Sequence, residues 1–415
     1  MSFLISAPAS GSGKTTVTLG LLRAFTRAGR LLRGAKSGPD YIDPRFHEAA
    51  CGQPCVNLDA WAMTPDRIRA LAGGATPLII EGAMGLFDGA PPDGKGASAD
   101  LARLLDLPVI LVIDAGRMAG SVAALASGFM RHDPSVRVAG VILNNVGSPR
   151  HEAMLRRALA GITVFGAIPR DGAISQPSRH LGLVQAQERP DLEDFLEAAA
   201  DLVAANCDLE SLGAMLGPCP ATRAAPITPP AGSIAVARDA AFAFSYPHLL
   251  DGWHAAGANL RFFSPLADEA APQADLIYLP GGYPELHAGR LAANSRFLES
   301  LRTTATPVYG ECGGYMVLGD ALTDAEGVTH AMAGLLPLET SFASRKLHLG
   351  YREMTATDGP FRGAWKGHEF HYATTIRAAG TPLFQIKDAE GNALPPMGLI
   401  AGRVSGSFAH LIDRA

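Results

Sequence analysis

The segment that most constrains this chain comes first. An apolar run, Phe3–Ala7, leads into Pro8-Ala9-Ser10-Gly11-Ser12-Gly13-Lys14-Thr15-Thr16, and an amphipathic stretch follows over Thr15–Ala28. Strand, glycine loop and helix in that order form a cradle for phosphate. Glycines let backbone N–H groups face the anion, and the helix N-terminus adds positive potential. In such a loop Lys14 reaches the outer phosphates and the Thr15 hydroxyl ligates Mg²⁺, with Gly11, Gly13 and Thr16 completing the phosphate-binding set for ATP. The strict pattern has glycine where this chain has Pro8, and a glycine-rich turn before any helix shares the rest.

A loop of that kind needs a sheet behind it. Pro77–Ile80, Val109–Ile113 and Val138–Leu143 are further apolar runs, alternating with helical stretches such as Pro65–Ala72. That alternation predicts a parallel α/β sheet. Residues 151–213 are rich in Ala and Leu and read as mostly helical from about Asp191. Then GPCPATRAAPITPPAG, Gly217–Gly232, breaks all periodicity and reads as a boundary. Strand signals restart at Ser233–Ala237, Leu260–Phe263, Leu276–Leu279 and Val308–Tyr309. The expectation is an α/β protein with domains 1–216 and 233–415 joined by a linker at 217–232, which suits a chain of 415 residues.

Composition narrows the function classes. The net charge is −5, so no basic field points to nucleic acid or an anionic membrane. The five cysteines, Cys51, Cys55, Cys207, Cys219 and Cys312, are odd in number in a long chain, which argues against a disulfide framework. No run approaches the roughly 20 apolar residues of a membrane span. The opening residues lack the basic start of a signal peptide, and a reducing cytoplasm is the expected home.

Acidic partners for the phosphate loop follow. Lys36-Ser37-Gly38-Pro39-Asp40-Tyr41-Ile42-Asp43-Pro44 sets two carboxylates just after a lysine, in a chain with only six lysines among 35 basic residues. The pattern suits Mg²⁺ and substrate positioning, and equally a surface turn, since Gly-Pro-Asp is turn chemistry. Leu78-Ile79-Ile80-Glu81 ends a strand in an acid, where the carboxyl edge of a sheet meets ligand, and runs on through Gly82-Ala83-Met84-Gly85-Leu86-Phe87-Asp88. Asp88 reads as a functional acid or a solvated loop residue. Asn144, at the end of Val141–Leu143, reads as a contact to a nucleotide base or as a capped turn.

A second site is independent of the first. Val308-Tyr309-Gly310-Glu311-Cys312-Gly313-Gly314-Tyr315 places a cysteine on a glycine-flanked strand-to-helix elbow, the geometry that presents a nucleophile. A helix N-terminus there is expected to lower the thiol pKa. His410, in Gly406-Ser407-Phe408-Ala409-His410, is the candidate base. Leu279-Pro280-Gly281-Gly282-Tyr283-Pro284-Glu285 follows a strand, and Gly281 and Gly282 can supply N–H donors to an oxyanion.

Together, SGSGKTT, KSGPDYIDP, EGAMGLFDG, LPGGYPELHA, GECGGYMVLG, GHEFHY and GSFAH resemble, in family order and over essentially the whole chain, the cobyrinate/hydrogenobyrinate a,c-diamide synthases. The resemblance implies a P-loop, dethiobiotin synthetase-like parallel sheet domain followed by a triad-type glutaminase α/β domain. It implies ATP- and glutamine-dependent amidation of the a and c carboxylates of a corrin precursor, with Mg²⁺ as cofactor. By the same resemblance Cys312 is the glutaminase nucleophile, His410 its base and Gly281–Gly282 the oxyanion loop. Lys14, Thr15, Asp43 and Glu81 handle ATP and Mg²⁺, and Lys36, Asp40, Tyr41 and Asp88 handle the substrate carboxylate and its intermediate. Many triad-type glutaminases place an acid two residues after the histidine. Ile412 stands there, so a Cys–His dyad is expected. KSGPDYIDP and GGYPELHA favour this branch over cobyrate synthase and separate it poorly from nickel-sirohydrochlorin diamide synthase. Ala9, where partitioning ATPases carry a signature lysine, argues against an ATP switch. Related nucleotide domains are often dimeric.

Overall fold

The computed structural model describes residues 2–170, 178–179, 182–183 and 185–415. Within the Ala/Leu-rich stretch 151–213, residues 171–177, 180–181 and 184 lie outside the described residues. The chain forms two compact units, 1–225 and 226–415.

Unit 1 is built on a seven-stranded sheet: β1 (Phe3–Ser6), β2 (Arg33–Ser37), β3 (Val56–Leu58), β4 (Leu78–Glu81), β5 (Val109–Asp114), β6 (Val138–Val146) and β7 (Val164–Pro169). Their order across the sheet is β3-β2-β4-β1-β5-β6-β7, and every pairing is parallel. Phe3, Leu4, Ile5, Ile79, Ile80, Ile110 and Leu111 are fully buried, as strands covered on both faces require. β2, β3 and β7 had no strand signal of their own. β2 is Arg33-Gly34-Ala35-Lys36-Ser37, whose Lys36 and Ser37 are buried, so it lacks an apolar run.

Helix α1 (Lys14–Arg27) starts at the phosphate loop and buries Val17, Leu19, Leu21, Leu22 and Phe25. It packs against the helix Leu192–Asn206 so closely that a Cβ on Gly20 would lie 2.6 Å from the Ala199 carbonyl oxygen. Arg23 and Arg27 pair with Glu193, Glu197 and Asp201 along that seam. The exposed pairs add little to stability, and the buried apolar stripe carries the contact.

Unit 2 holds a six-stranded sheet in the order Asn259–Phe263, Ser233–Ala237, Leu276–Leu279, Val308–Glu311, Val404–Ser407, Leu399–Ala401. Its first five strands are parallel. A separate antiparallel sheet runs Ala393–Met397, Phe384–Lys387, His348–Ala356, Gly363–His371, Ala409–Arg414. The periodicity of 348–397 did not announce these strands. His348–Ala356 is half-exposed along most of its length, so its pattern lacks clean alternation. Ala393–Met397 carries two prolines, tolerated because it is an edge strand.

The two sheets meet at the chain end. Val404–Ser407 runs beside Val308–Glu311 with Glu311 opposite Ser407. After Phe408 the backbone joins the antiparallel sheet, with His410 opposite His368. That switch carries a C-terminal histidine to the elbow at Cys312.

Candidate active sites

In unit 1 the register of three parallel strands builds the phosphate site. Lys36 on β2 is opposite Glu81 on β4, and Glu81 is opposite Ile5 on β1, just before the loop. Gly11 and Gly13 have φ of +80° and +93°, which only glycine adopts without strain. Glu81 is fully buried. Its Oε1 accepts hydrogen bonds from Thr15 Oγ1 at 2.6 Å and Lys36 Nζ at 2.9 Å, and its Oε2 lies 2.7 Å from His47 Nε2. Lys36 also donates to Asp43 Oδ2 at 2.5 Å. Burial works against the Lys36 charge, but Asp43 and Glu81 hold its pKa above the usual lysine range. Burial likewise opposes ionisation of Glu81, and Lys36 and His47 overcome it, holding the carboxyl well below its usual range. For Asp43, burial and the neighbouring Asp40 outweigh Lys36 and push the carboxyl up.

The predicted residues of this site therefore converge, with three refinements. Lys14 Nζ donates to the Met84 carbonyl at 2.6 Å, and burial lowers its pKa. Asp40 Oδ1 accepts from the Ile42 and Asp43 N–H groups, shaping the turn that starts the helix Asp43–Cys51. Asn144 Nδ2 donates to the Ser12 carbonyl at 3.0 Å, and a Cβ on Gly13 would clash with that amide at 2.1 Å. The Asn144 amide thus braces the phosphate loop. Asp88 is exposed and accepts from the Gly85 N–H, while Tyr41 is buried. Sequence reasoning missed His47, which orients Glu81, and Asn57, whose amide holds the Gly38 and Asp40 carbonyls. Nothing in the local sequence marks a helical His or a strand Asn as part of a site until the sheet assembles.

In unit 2, Cys312 follows the strand Val308–Glu311 and precedes a six-residue helix, Gly313–Leu318. Its φ is +46° with ψ −105°, a strained conformation for a residue with a side chain. The Cys312 N–H donates to the Ser407 carbonyl at 2.8 Å, fixing the elbow to the neighbouring strand. Gly313 and Gly314 are small because the elbow is crowded: a Cβ on Gly314 would lie 2.0 Å from the Leu279 carbonyl oxygen. The thiol pKa departs from expectation. Burial first, and the fields of Glu285, Glu311 and Glu369, push it up, against one favourable contact to the Gly313 N–H. A two-turn helix has too little dipole to reverse that. Ionisation of Cys312 therefore depends on a base.

Gly281 marks where His410 meets Cys312. A Cβ there would lie 2.9 Å from His410 Nε2 and 3.2 Å from Cys312 Cβ. Gly282 packs beside it, its N–H nitrogen 3.0 Å from the Cβ position of Gly313. The GHEFHY segment forms a further network in this unit. His371 bridges the Ala373 carbonyl and Glu369, Arg352 clasps the other oxygen of Glu369 at 2.6 Å, and His371 stacks on Phe408 at 3.9 Å. His348, Glu369 and His371 offer ligand atoms within 4.8 Å of one another. The His348 and His371 rings are parallel within 5°, so their in-plane lone pairs do not converge on one ion.

Comparison with known proteins assigns a family to each half of the chain. Residues 3–184 match the CobQ/CobB/MinD/ParA nucleotide binding domain, and residues 233–414 match the CobB/CobQ-like glutamine amidotransferase domain. The hydrogenobyrinate a,c-diamide synthase of Brucella abortus is 58% identical over 428 residues, covering 99% of this chain and 98% of that protein. The enzymes of the same description from Rhizobium meliloti and Rhodobacter capsulatus are 56% and 55% identical, each over 98% of its length. No helix among the described residues is long and apolar enough to cross a membrane. With two domain matches in series and relatives aligned nearly end to end, the chain belongs to the hydrogenobyrinate a,c-diamide synthase family.

Proposed function

We propose that this protein converts the a and c carboxylates of hydrogenobyrinate to carboxamides, using ATP to activate each carboxylate and glutamine as the nitrogen source. The observation that carries the reading is the coexistence in one chain of a phosphate loop backed by Glu81, Lys36 and Asp43 and a strained Cys312 elbow faced by His410. The full-length likeness to enzymes of that description supports the choice of acceptor.

A carboxylate is a poor electrophile, and transfer of the γ-phosphoryl group makes it an acyl phosphate with a good leaving group. Catalysis of such a transfer is mainly positioning and charge neutralisation. The glycine loop holds the phosphates, and Lys14 turns from the Met84 carbonyl toward them. Lys36 faces the incoming carboxylate's charge from beneath, while Asp40, Tyr41 and Asp88 position that acceptor. Asp43 and Glu81 set oxygens around a buried cation, the Lys36 ammonium, and the Thr15 hydroxyl bonds to the same Glu81 oxygen, a hard-oxygen set of the kind Mg²⁺ prefers. These three residues would hold the ion, which when bound neutralises phosphate charge.

In unit 2 His410 takes the thiol proton as Cys312 attacks the side-chain amide of glutamine. The resulting tetrahedral oxyanion is received by N–H groups of the Gly281–Gly282 loop. Collapse gives a thioester and ammonia, with His410 returning the proton to the leaving nitrogen, and water then releases glutamate. The ammonia attacks the acyl phosphate and displaces phosphate. A Cys312→Ser variant tests the division of labour. Amidation with glutamine is lost and amidation with free ammonium persists; a variant that still uses glutamine refutes the assignment.

A further inference from the structure

Many glutaminases of this type orient the histidine with an acid two residues downstream, and this chain has buried Ile412 there. The acid that faces His410 comes instead from the adjacent strand. Glu311, immediately before the nucleophile, places Oε2 3.5 Å from His410 Nδ1, and neither side chain is more than 2% exposed. The opposite edge of the imidazole, Cε1 and Nε2, lies against Gly281, which also abuts Cys312 Cβ. The carboxylate thus lies on the Nδ1 side of the imidazole, where an orienting acid acts, and the ring and the cysteine meet at Gly281.

Glu311 is itself held in place. Its Oε2 accepts from Tyr278 Oη at 2.8 Å, and its Oε1 accepts from the Leu411 N–H at 3.2 Å. The second bond comes from the residue after His410, so the same strand that delivers the imidazole also fixes the acid. A buried carboxylate is costly unless paired and hydrogen-bonded. Two neutral donors satisfy part of it, and the imidazole is the group beside it that can carry positive charge. His368 is a further ionisable neighbour of His410, and Glu285 and Glu369 face Cys312.

We infer that Glu311 is the positioning residue of this glutaminase, orienting His410 and stabilising its protonated form, so that the catalytic group is a Cys312–His410–Glu311 triad with the acid adjacent in sequence to the nucleophile. The inference rests on the glutaminase reading of Cys312 and His410. The proton that leaves Cys312 ends on His410 Nε2, and Glu311 stays ionised beside Nδ1.

Glu311→Gln keeps the shape and removes the charge. Glutamine hydrolysis is expected to fall in kcat by about 10²-fold or more, with KM changed little, as for loss of the orienting acid in other triads. Amidation with ammonium should be unchanged. The discriminating readout is the pH of half-maximal alkylation of Cys312 by iodoacetamide, followed at its own peptide by mass spectrometry. Loss of an acid that stabilises the imidazolium moves this pH up. Loss of an acid that acts only by its own field on the thiol moves it down, because that field raises the thiol pKa. An unchanged kcat, a downward shift, or loss of the ammonium reaction overturns the proposal. If Glu311→Gln does not fold, Glu311→Asp decides: the shorter acid lowers kcat and raises the alkylation pH, and wild-type values for both overturn it. Absence of glutamine hydrolysis in the wild-type chain defeats the glutaminase reading, and this inference with it.

Discussion

Replacing Gly281 with alanine places a methyl carbon 2.3 Å from His410 Cε1, 2.9 Å from its Nε2 and 3.2 Å from Cys312 Cβ. Ordinary carbon contacts lie at about 3.5–4.0 Å, so the imidazole must retreat by on the order of 1 Å. Gly281 does not have a left-handed φ, so alanine meets no backbone penalty and the whole effect is steric. Displacement of about 1 Å between a base and its nucleophile costs about 10²-fold in rate. Overpacking of this buried corner adds about 1–3 kcal/mol of destabilisation. Gly281→Ala should therefore hydrolyse glutamine about 10²-fold more slowly, with a lowered but cooperative unfolding transition. Amidation driven by ammonium should survive. The assay is glutamate release from glutamine beside carboxamide formation with glutamine or with ammonium. Wild-type glutamate release by the folded variant would refute the placement of His410 against Cys312 and Gly281.

Three further outcomes follow from the same geometry. Glu81→Gln removes the charge that balances buried Lys36, and breaking such a pair costs about 3–5 kcal/mol, measured by chemical denaturation, with loss of ATP turnover. Lys14→Met leaves glutamine hydrolysis in place and abolishes ATP-dependent amidation, read by phosphate release. Buried His368 has its pKa lowered to about 3 by burial and by His410. A depressed histidine pKa gives stability that is present above the unfolded value of about 6.5 and lost as pH falls toward the folded value. Between pH 6.5 and 5 this amounts to about 1.5 kcal/mol, seen as a falling denaturation midpoint that His368→Phe flattens.

The glycine patterns made the two sites legible, because a phosphate loop and a nucleophile elbow each demand a local sequence. Four strands of the first sheet and three of the second were legible for a related reason: strands buried on both faces read as apolar runs, whereas the edge strand Asn259–Phe263 is mostly exposed and showed only through its Leu and Phe residues. What the sequence hid were residues whose role exists only across strands. Glu311 reads as a strand-end acid until Val404–Ser407 and the turn at Phe408 bring His410 beside it. His47 reads as one helical histidine among several until β4 sets Glu81 against it. Asn144 sits at a strand end, but only the assembled sheet shows its amide under the phosphate loop. The thiol of Cys312 was expected to be lowered by its helix. Local sequence cannot report the burial of that thiol, nor the three buried carboxylates gathered around it, which act in the opposite sense.

The most direct test of the account is product analysis. The purified protein is incubated with ATP, Mg²⁺, glutamine and hydrogenobyrinate, with the cobalt-loaded corrin in parallel, and the corrin products are followed by mass. The account predicts two successive replacements of a carboxyl OH by NH₂ on hydrogenobyrinate, each dependent on ATP and on glutamine, and both lost when glutamine is supplied to Cys312→Ser. Glutamine hydrolysis with no change in the mass of hydrogenobyrinate would contradict it.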